Sequence, residues 1–443
     1  MVNKIDLRRI EMLSKRKWLV ITILLCFTLA AVFIGRWTIG TVNAQGNYEE
    51  LKTFTEVLTL IKKNYVDEVK TKDLITSAIK GMVSSLDPHS SFMPPESFKE
   101  LQVETKGEFG GLGIQIGLKD LLLTVIAPIE DTPAYRAGIK AGDKILKIDG
   151  ESTKNMELES AVAKMRGPKG TSVVLSIMRE GWIEAKDFSI TRDIIKIKSV
   201  KPKIIDSSIG YIKLTQFQES TASDLVAALA ALKKEGMTSI ILDLRNDPGG
   251  LLNSAVDVAA QFLRQKQLVV YIKGRTGEKI EYHTEGENPD YTEIPMIVLV
   301  NQGSASASEI VAGALKDWKR AIIIGTQTFG KGSVQSLIPL SDGSGLRLTT
   351  AKYYTPNGVS IQNIGITPDI IVKLTPKDNT GNHTVIREKD LERHLKNENV
   401  KEETEEKETA PFEVEEKDDL QLQRAIDTLK TWKVFENMLK KAA

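Results

Sequence analysis

The spacing of apolar residues changes several times along this chain, and each change predicts a different structure. An uncharged apolar run over 18–35 is followed by a region at 46–100 whose apolar residues recur every three or four positions, as on one face of a helix. The first predicted helix carries Leu51, Phe54, Val57, Leu58, Ile61 and Tyr65 on that face, and a second is predicted over about 74–86. The region has too little apolar surface for its own core, so we expect it to pack on another domain or subunit.

Beyond Gly107 the pattern turns to short apolar runs separated by glycines, which predicts a small β domain ending near Gly181. From Ile194 to about Leu374, apolar runs of strand length alternate with helical patterns. The predicted strands lie at 209–214, 239–244, 296–300 and 321–324, with further strands to Tyr354, and the predicted helices lie at 223–235, 251–263 and 306–318. Such alternation is typical of an α/β core with crossover connections.

The C-terminal part begins with a strongly acidic segment. Residues 398–419 carry a net charge of −8, which predicts a solvated linker. An amphipathic helix is predicted over about 420–439, and we expect it to dock on the core or to form a dimer. The predicted fold is therefore mixed α/β and multidomain, with a basic tail and apolar segment at 1–45, a helical docking or dimerisation region at 46–100, a β domain at 101–185, a core at 186–375, and a linker and helix at 376–443.

Overall charge and cysteine content exclude several classes of protein. Lys and Arg number 60 against 59 Asp and Glu, a formal charge of +1, so no nucleic-acid partner is predicted. The single cysteine, Cys26, can form neither an intramolecular disulfide nor a CxxC metal site. The sequence implies no metal and no other cofactor.

The N-terminal pattern predicts a membrane segment. The first 17 residues carry a net charge of +4 and precede the 18 uncharged residues of 18–35. A basic flank before such a run places the N-terminus in the cytoplasm and the rest of the chain outside. Small residues at 42–44 fit a signal peptidase site, so the segment is either a removable signal or a retained anchor. We favour the anchor, because the run is longer than a usual signal core and Arg36 follows it.

Familiar catalytic motifs are missing from the chain. G-x-S-x-G and H-E-x-x-H do not occur, and the four histidines fall in no nucleophile pattern, so His89 is predicted to be a turn or packing residue. Three segments with turn residues after a predicted strand remain, at 241–250, 300–309 and 325–335. Backbone N–H groups at the start of a helix, as in the first two, can stabilise an oxyanion.

The third segment invites comparison with a nucleotide-binding loop, because 325–331 fits G-x-x-x-x-G-K. Position 332 is glycine rather than the Ser or Thr that would hold Mg²⁺, and the residues that follow predict a strand instead of a helix. We therefore prefer a serine–lysine pair, in which burial lowers the pKa of Lys331 enough for it to deprotonate a serine.

The serine of that pair remains open at this point among Ser304, Ser306 and Ser308. Ser306 with Glu309 also fits an S-x-x-E capping box, which is a structural alternative. Gln335 shares a strand face with Lys331 if the strand is regular, so its amide can orient the amine.

The glycine-rich stretch at 107–116, with the residues at 133–143, resembles the PDZ domain of bacterial envelope proteases. The resemblance implies that a peptide adds as a strand beside 112–116 and lies against a helix at 157–165, where Leu158 and Val162 line an apolar pocket. Backbone N–H groups of the loop would hold its terminal carboxylate. The implied peptide-binding residues are Gly110, Gly111, Leu112, Gly113, Ile114, Leu158 and Val162.

From about Leu51 to Lys373 the chain resembles the carboxyl-terminal processing peptidases, also called tail-specific proteases. That family has its nucleophilic serine 25 residues before the lysine, which implies Ser306 as nucleophile, Lys331 as base and Gln335 as its support. The same resemblance places an aspartate of some members at Asp317. It implies oxyanion donors at the N–H of Ala307 or of Ser306 itself, and of Gly249 or Gly250.

Two positions depart from the family pattern. Asp247 stands where Asn is usual, and Val359 stands where Arg is common, which would alter the contact between the PDZ domain and the core. Arg166 is a candidate contact from the PDZ domain to the core.

The resemblance implies a membrane-anchored serine endopeptidase of the cell envelope that captures free apolar C-termini of proteins and cleaves upstream of them. The helices at 46–100 and 420–439 suggest a homodimer. The alternative is an inactive scaffold that binds C-termini through its PDZ domain, although such a scaffold would not need the Ser306, Lys331 and Gln335 set.

Overall fold

A computed structural model of the chain describes residues 49–119, 122–286, 290–373, 382–397, 409–411 and 418–442. The tail and apolar segment predicted at 1–45, and most of the acidic linker, lie outside these described residues. Within the described ranges, no helix is both long and apolar enough to cross a membrane.

The predicted N-terminal helices are present as α1, over 49–64, and α2, Thr71–Ser84. They belong largely to the first of two compact units, which ends at Met82. The apolar face of α1 is exposed, with Leu51, Phe54 and Tyr65 each at least 45% accessible. The expectation that another surface covers this face stays a prediction.

A strand and a helix open the second unit and precede the β domain. Strand β1, Ser91–Met93, pairs antiparallel with a strand of the core, and α3, Pro95–Lys106, follows it. The side chain of Phe98 on α3 is buried against Gly345, where a Cβ would lie 2.2 Å from its ring. The region predicted as purely helical at 46–100 therefore contributes a strand to the core sheet.

The β domain consists of a six-stranded antiparallel sheet with two helices. Its elements and the two strands that flank it are β2 Glu108–Gly111, β3 Ile114–Lys119, β4 Leu122–Pro128, α4 Pro133–Arg136, β5 Lys144–Ile148, β6 Glu151–Ser152, α5 Leu158–Met165, β7 Ser172–Met178, β8 Lys186–Thr191 and β9 Asp193–Lys196. The sheet order is β3-β4-β5-β7-β8, with β6 beside β5, so β3 is an edge strand. Strands β2 and β9 pair with each other at the base of the domain. Strand β8 lies beyond the predicted boundary at 185 but pairs with β7.

The core is α/β, as the alternation predicts. Its elements are β10 Val200–Ile205, β11 Ile209–Leu214, α6 Thr221–Lys234, β12 Ser239–Asp243, α7 Leu252–Ala260, β13 Leu268–Gly274, β14 Lys279–His283, β15 Met296–Val300, α8 Ala307–Asp317, β16 Ile322–Gly325, β17 Ser333–Pro339, β18 Gly345–Tyr354 and β19 Ile370–Ile371. Beyond them lie β20 Asn382–Thr384, a 3-10 turn at Glu388–Asp390, β21 Thr409–Pro411 and α9 Leu420–Ala442. Every strand and helix predicted individually between 209 and 324 is confirmed within a few residues.

Two sheets build the core. The first has the order β10-β11-β12-β15-β16-β19 and is parallel except for β10, while the second is antiparallel with β1, β18, β13, β14 and β17. Strand β12 is apolar at consecutive positions because both of its faces are buried: Ile240 and Leu242 pack into the main core, and Ile241 packs into a smaller cluster under α9.

Only the first half of α9 docks on the core. Leu422, Ala425 and Leu429 are at most 5% exposed and pack over the parallel sheet, whereas Trp432, Phe435 and Leu439 are exposed. The prediction that this helix docks on the core is thus confirmed for its first half, and dimerisation through its second half stays a prediction.

We expect Leu429→Ala to lower the free energy of unfolding by about 2–5 kcal/mol, because it leaves a cavity between α9 and the parallel sheet. The matched control is Leu439→Ala on the same helix, where the side chain is 71% exposed and the expected change is below about 0.5 kcal/mol. Chemical denaturation of both variants measures the difference, and equal effects would contradict the docking described above.

Candidate active site

The three segments singled out in the sequence meet at one edge of the parallel sheet. Strands β12, β15 and β16 are parallel neighbours, so their carboxyl ends lie together. Each runs directly into one segment: the glycine turn (244–250) after β12, the serine segment (301–306) after β15 and the lysine segment (326–332) after β16. The carboxyl ends of strands in open α/β sheets are the usual place for a functional site.

Hydrogen bonds join the glycine turn to the serine segment. Two hydrogen bonds join Asn246 to Asn301. Asn301 Oδ1 accepts the Asn246 backbone N–H at 2.9 Å, and Asn301 Nδ2 donates to Asn246 Oδ1 at 2.8 Å. The Ser304 hydroxyl donates to the Leu244 carbonyl at 2.8 Å, and the Ser308 hydroxyl donates to the Asp247 carbonyl at 2.9 Å. Ser304 and Ser308 are therefore committed to backbone contacts, while Ser306 lies between them.

Ser306 is held in an unusual backbone conformation at the start of α8. Its φ is 54° and its ψ is −110°, a region that residues other than glycine rarely occupy. Its backbone N–H donates to Glu309 Oε2 at 2.8 Å, which is the bond expected of the S-x-x-E pattern. The capping box of the alternative interpretation is thus present at the start of α8. The phenol of Tyr353 on β18 faces the Ser306 hydroxyl.

The Glu309 carboxylate joins the serine to the lysine segment. Its Oε2 also accepts the Lys331 backbone N–H at 2.9 Å, and its Oε1 accepts the Gly330 N–H at 2.7 Å and the Thr328 hydroxyl. The backbone nitrogens of Ser306 and Lys331 therefore lie within two hydrogen-bond lengths of each other. Burial raises the pKa of Glu309 to about 7, and these donors act against that rise by stabilising the anion.

The Lys331 amine lies in a largely buried position. Burial is the main cause that lowers its pKa below the ordinary value, and the positive charge of Arg347 lowers it further. The carboxylates of Glu388, Glu309 and Asp87 act in the opposite direction. Within the described residues, no hydrogen bond joins this amine to the Ser306 hydroxyl. The structure brings the two backbones together and does not join the two side chains to each other.

Among the described residues, no hydrogen bond joins Gln335 to the Lys331 amine. Gln335 Nε2 donates to the Ser333 hydroxyl at 2.9 Å and lies 3.4 Å from the Thr349 hydroxyl. A bulge between Val334 and Gln335 in the pairing of β17 with β18 interrupts the regular alternation on which the shared face was predicted.

The predicted oxyanion donors differ in their availability. The N–H of Gly249 donates to Asp247 Oδ1 at 2.9 Å, whereas the N–H groups of Gly250 and Ala307 have no acceptor among the residues that the structure describes. Burial raises the pKa of Asp247 to about 8, which favours its protonated form at neutral pH, and its Oδ2 is buried with no partner among the same residues. The Gly250 and Ala307 N–H groups are therefore the ones left for an oxyanion here.

Several contacts in the site join residues far apart in the chain, so no local sequence pattern predicts them. The ring of His89 lies 2.7 Å from the Glu388 carboxylate, and Gln362 donates to Glu388 and accepts the Gly332 N–H. Arg347 donates to the His89 carbonyl at 3.0 Å. The ring of His89, a residue predicted to serve a turn or packing role, is thus paired with a buried carboxylate that Gln362 connects to the lysine segment. Asp317, the family aspartate, accepts the Asn357 N–H at 2.8 Å.

The residues predicted to form the peptide groove lie on several elements of the β domain. Gly110 and Gly111 belong to β2, Leu112 and Gly113 form the turn that follows, and Ile114 begins the free edge strand β3. Gly113 has a φ of +76°, and a Cβ there would lie 2.3 Å from Thr132. The other two predicted groove residues, Leu158 and Val162, lie on α5 and are half-buried.

Arg166 follows α5 and contacts elements next to the β domain. Its guanidinium stacks 4.8 Å from the ring centre of Phe109 and lies 3.8 Å from the Glu100 carboxylate of α3. No cluster of three His, Cys, Asp or Glu side chains in the described ranges could hold a metal ion.

Comparison with known proteins identifies the family of this chain. The chain is 46% identical over 376 residues to a carboxy-terminal-processing protease of Bartonella bacilliformis, which covers 84% of this chain and 86% of the relative. This chain belongs to the carboxyl-terminal processing proteases. Residues 208–372 match peptidase family S41, 124–179 match the PDZ domain, and 38–97 match the N-terminal domain of the activating protease CtpB. The protein is therefore a serine-type peptidase with a PDZ domain.

Two further proteins are similar to this protease. CtpB of Bacillus subtilis is 36% identical over 338 residues, which covers 75% of this chain and 70% of that protein. The solved photosystem II D1 C-terminal processing protease aligns over 73% of this chain and 94% of its own at 31% identity, with a TM-score of 0.43.

We expect Gly249→Ala to lower kcat by about 100-fold or more, the size of effect seen when an oxyanion site is damaged. A Cβ at this position would lie 2.7 Å from the Ala305 carbonyl oxygen and 2.9 Å from Ser306 Cβ, and would displace the serine segment. Hydrolysis of a peptide substrate measures the effect.

The control for backbone strain is Gly236→Ala. Gly236 has a φ of +95°, close to the +98° of Gly249, but a Cβ there would meet nothing within 4 Å. We therefore expect the Gly236→Ala variant to keep wild-type activity. An equal loss in the two variants would contradict a specific clash with Ser306.

Proposed function

We propose that Ser306 is the nucleophile of this peptidase and that neutral Lys331 is its general base. The observation that carries the proposal is the shared Glu309 carboxylate, which holds the backbone of both residues within hydrogen-bond distance of one oxygen. The lowered pKa of Lys331 supports it, because only the neutral amine can accept a proton.

In the proposed reaction the Lys331 amine takes the proton of the Ser306 hydroxyl while the oxygen attacks a peptide carbonyl. The N–H groups of Ala307 and Gly250 stabilise the tetrahedral oxyanion. Lys331 then gives its proton to the leaving amine, which breaks the C–N bond and leaves an acyl-enzyme. Water, deprotonated by the same amine, attacks the ester carbonyl. The C–O bond to Ser306 then breaks, Lys331 returns the proton to the Ser306 oxygen, and the new carboxyl terminus leaves.

Two side chains must move for this chemistry. The Lys331 amine must approach the Ser306 hydroxyl, and Gln335 must leave Ser333 to orient that amine. Both movements are side-chain rotations, because Glu309 fixes the backbones of Ser306 and Lys331 and the pairing of β17 with β18 fixes that of Gln335.

We further propose that the PDZ domain captures the free apolar C-terminus of a protein. The edge of β3 is available for strand addition, and Leu158 and Val162 lie beside it on α5. The basic flank and apolar run at 1–35 support an anchor in the cell membrane, with the catalytic domain outside the cytoplasm or secreted if the segment is cleaved. The exposed apolar faces of α1 and α9 support a homodimer.

The test uses the full chain and a protein that ends in free Val-Ala, alongside a C-terminally amidated copy. We expect the amidated copy to be cleaved more slowly, because it lacks the carboxylate that the PDZ loop would bind. Ser306→Ala should abolish cleavage, and Lys331→Ala should lower it by at least about 100-fold. Ser336→Ala, which removes an exposed hydroxyl on β17, is the control and should be fully active. Cleavage that persists in Ser306→Ala would refute the assignment.

A second prediction concerns pH. The reaction needs neutral Lys331, so kcat/KM should rise with pH through the lowered pKa of this amine. Arg347→Gln removes a positive charge that lowers that pKa, so we expect the acidic limb of the profile to move to higher pH. Lys201→Gln, on the far edge strand β10, is the control and should leave the limb in place. A limb that stays unchanged in Arg347→Gln would argue against Lys331 as the base.

A further inference from the structure

A buried guanidinium links the glycine turn to the C-terminal helix. Arg245 is the second residue of that turn and is only 9% exposed. Its Nε and Nη2 donate to the Asp243 carboxylate at 3.0 and 2.6 Å, and that carboxylate also accepts the Tyr211 hydroxyl. These bonds hold one side of the guanidinium to the end of β12.

The other side of the guanidinium is held by α9. Arg245 Nη1 donates to Asp419 Oδ1 at 2.8 Å and to Gln421 Oε1 at 3.1 Å. Asp419 also caps the helix, because the same Oδ1 accepts the Leu422 N–H at 3.0 Å. The match to peptidase family S41 ends at residue 372, so these two acceptors come from a part of the chain beyond it.

Arg245 lies close to the reacting groups along the backbone. Two residues later, Asp247 accepts the Ala305 N–H at 3.0 Å through its carbonyl, and Ala305 precedes Ser306. Asn246, between them, has a φ of 57° and is bonded to Asn301. The glycine turn is thus fixed from two directions: the serine segment holds 246–247, and the C-terminal helix holds residue 245.

We propose that Asp419 is a positioning residue for the reaction, which acts through Arg245 to keep the glycine turn in register with Ser306. The inference rests on the proposed role of Ser306 and of the Gly250 N–H. Without the Asp419 acceptor, Arg245 Nη1 loses the closer of its two partners. The buried guanidinium then shifts toward other acceptors. The shift displaces the start of the turn and moves the Gly250 N–H away from the oxyanion.

The experiment compares four variants of the full chain, of which two are at Asp419. Asp419→Ser keeps a good helix cap but is too short to reach Arg245, and Asp419→Asn keeps both the cap and the acceptor oxygen. Lys430→Ala is the control, because it breaks a different contact between α9 and the core, the 2.6 Å ion pair with Asp206. Each variant is measured for kcat and KM on a peptide with a free C-terminus, with thermal unfolding as a check of the fold.

We expect Asp419→Ser to lower kcat about tenfold with KM within twofold of wild type, because a misplaced oxyanion donor affects the transition state more than substrate binding. Asp419→Asn and Lys430→Ala should stay within twofold of wild-type kcat. Gln421→Met, which removes the other acceptor of Arg245 Nη1 while Asp419 remains, should lower kcat in the same direction but less, and it keeps the test decisive if Asp419→Ser does not fold.

A wild-type kcat in Asp419→Ser, a change confined to KM, or an equal fall in Lys430→Ala would overturn the proposal. The last result would mean that loss of α9 from the core, rather than loss of the Arg245 contact, causes the effect. Ser306→Ala is measured in parallel. Activity in that variant would refute the proposed nucleophile, which is a different failure from an unaffected Asp419→Ser.

Discussion

One buried carboxylate, that of Glu309, fixes the arrangement on which the rest of the site depends. It accepts N–H groups from the start of α8 and from the segment that precedes β17, two pieces of chain that otherwise leave the sheet in different directions. Removing a carboxylate from water is costly unless several donors replace the lost hydration. Four donors surround Glu309, so the site tolerates its burial, and three of them are backbone N–H groups that must stay in place.

Burial has the opposite effect on the two ionisable groups that meet here. It raises the pKa of Glu309 and lowers that of Lys331, so it disfavours the charged form of each. Burial therefore shifts both groups toward their neutral forms. Arg347 favours the neutral form of Lys331, whereas Glu388 and Asp87 oppose it, so the pKa of Lys331 is a balance among residues from β18, the 3-10 turn and the segment before β1.

The sequence was sufficient for the parts of the fold that depend on local pattern. Strands β12 and β15 were predictable because both of their faces are buried, so apolar residues occupy consecutive positions at 240–242 and 296–300, and their shared edge followed from parallel pairing. The contact of Gln335 was not predictable, because a bulge depends on how β17 pairs with β18 and not on the residues of β17 alone. The His89–Glu388 and Arg245–Asp419 contacts join residues far apart in the chain, and no spacing rule identifies such pairs. The family resemblance singled out Ser306, and the structure adds a reason in that Ser304 and Ser308 donate to backbone carbonyls.

The hydrogen bonds that hold each group indicate which parts of the site can change during a catalytic cycle. The backbones of Ser306 and Lys331 are bound to a common carboxylate, and the glycine turn is bonded to the serine segment through Asn246 and Asp247. By contrast, Gln335 and the Gly249 N–H each make a single short bond to a near neighbour, which substrate or a repositioned amine can replace at little cost. In the mechanism that we propose, this rigid backbone with exchangeable side-chain contacts lets the serine and lysine pair without refolding any strand. The strained φ of Ser306 belongs to the rigid part, because the capping bond from its own N–H to Glu309 maintains it.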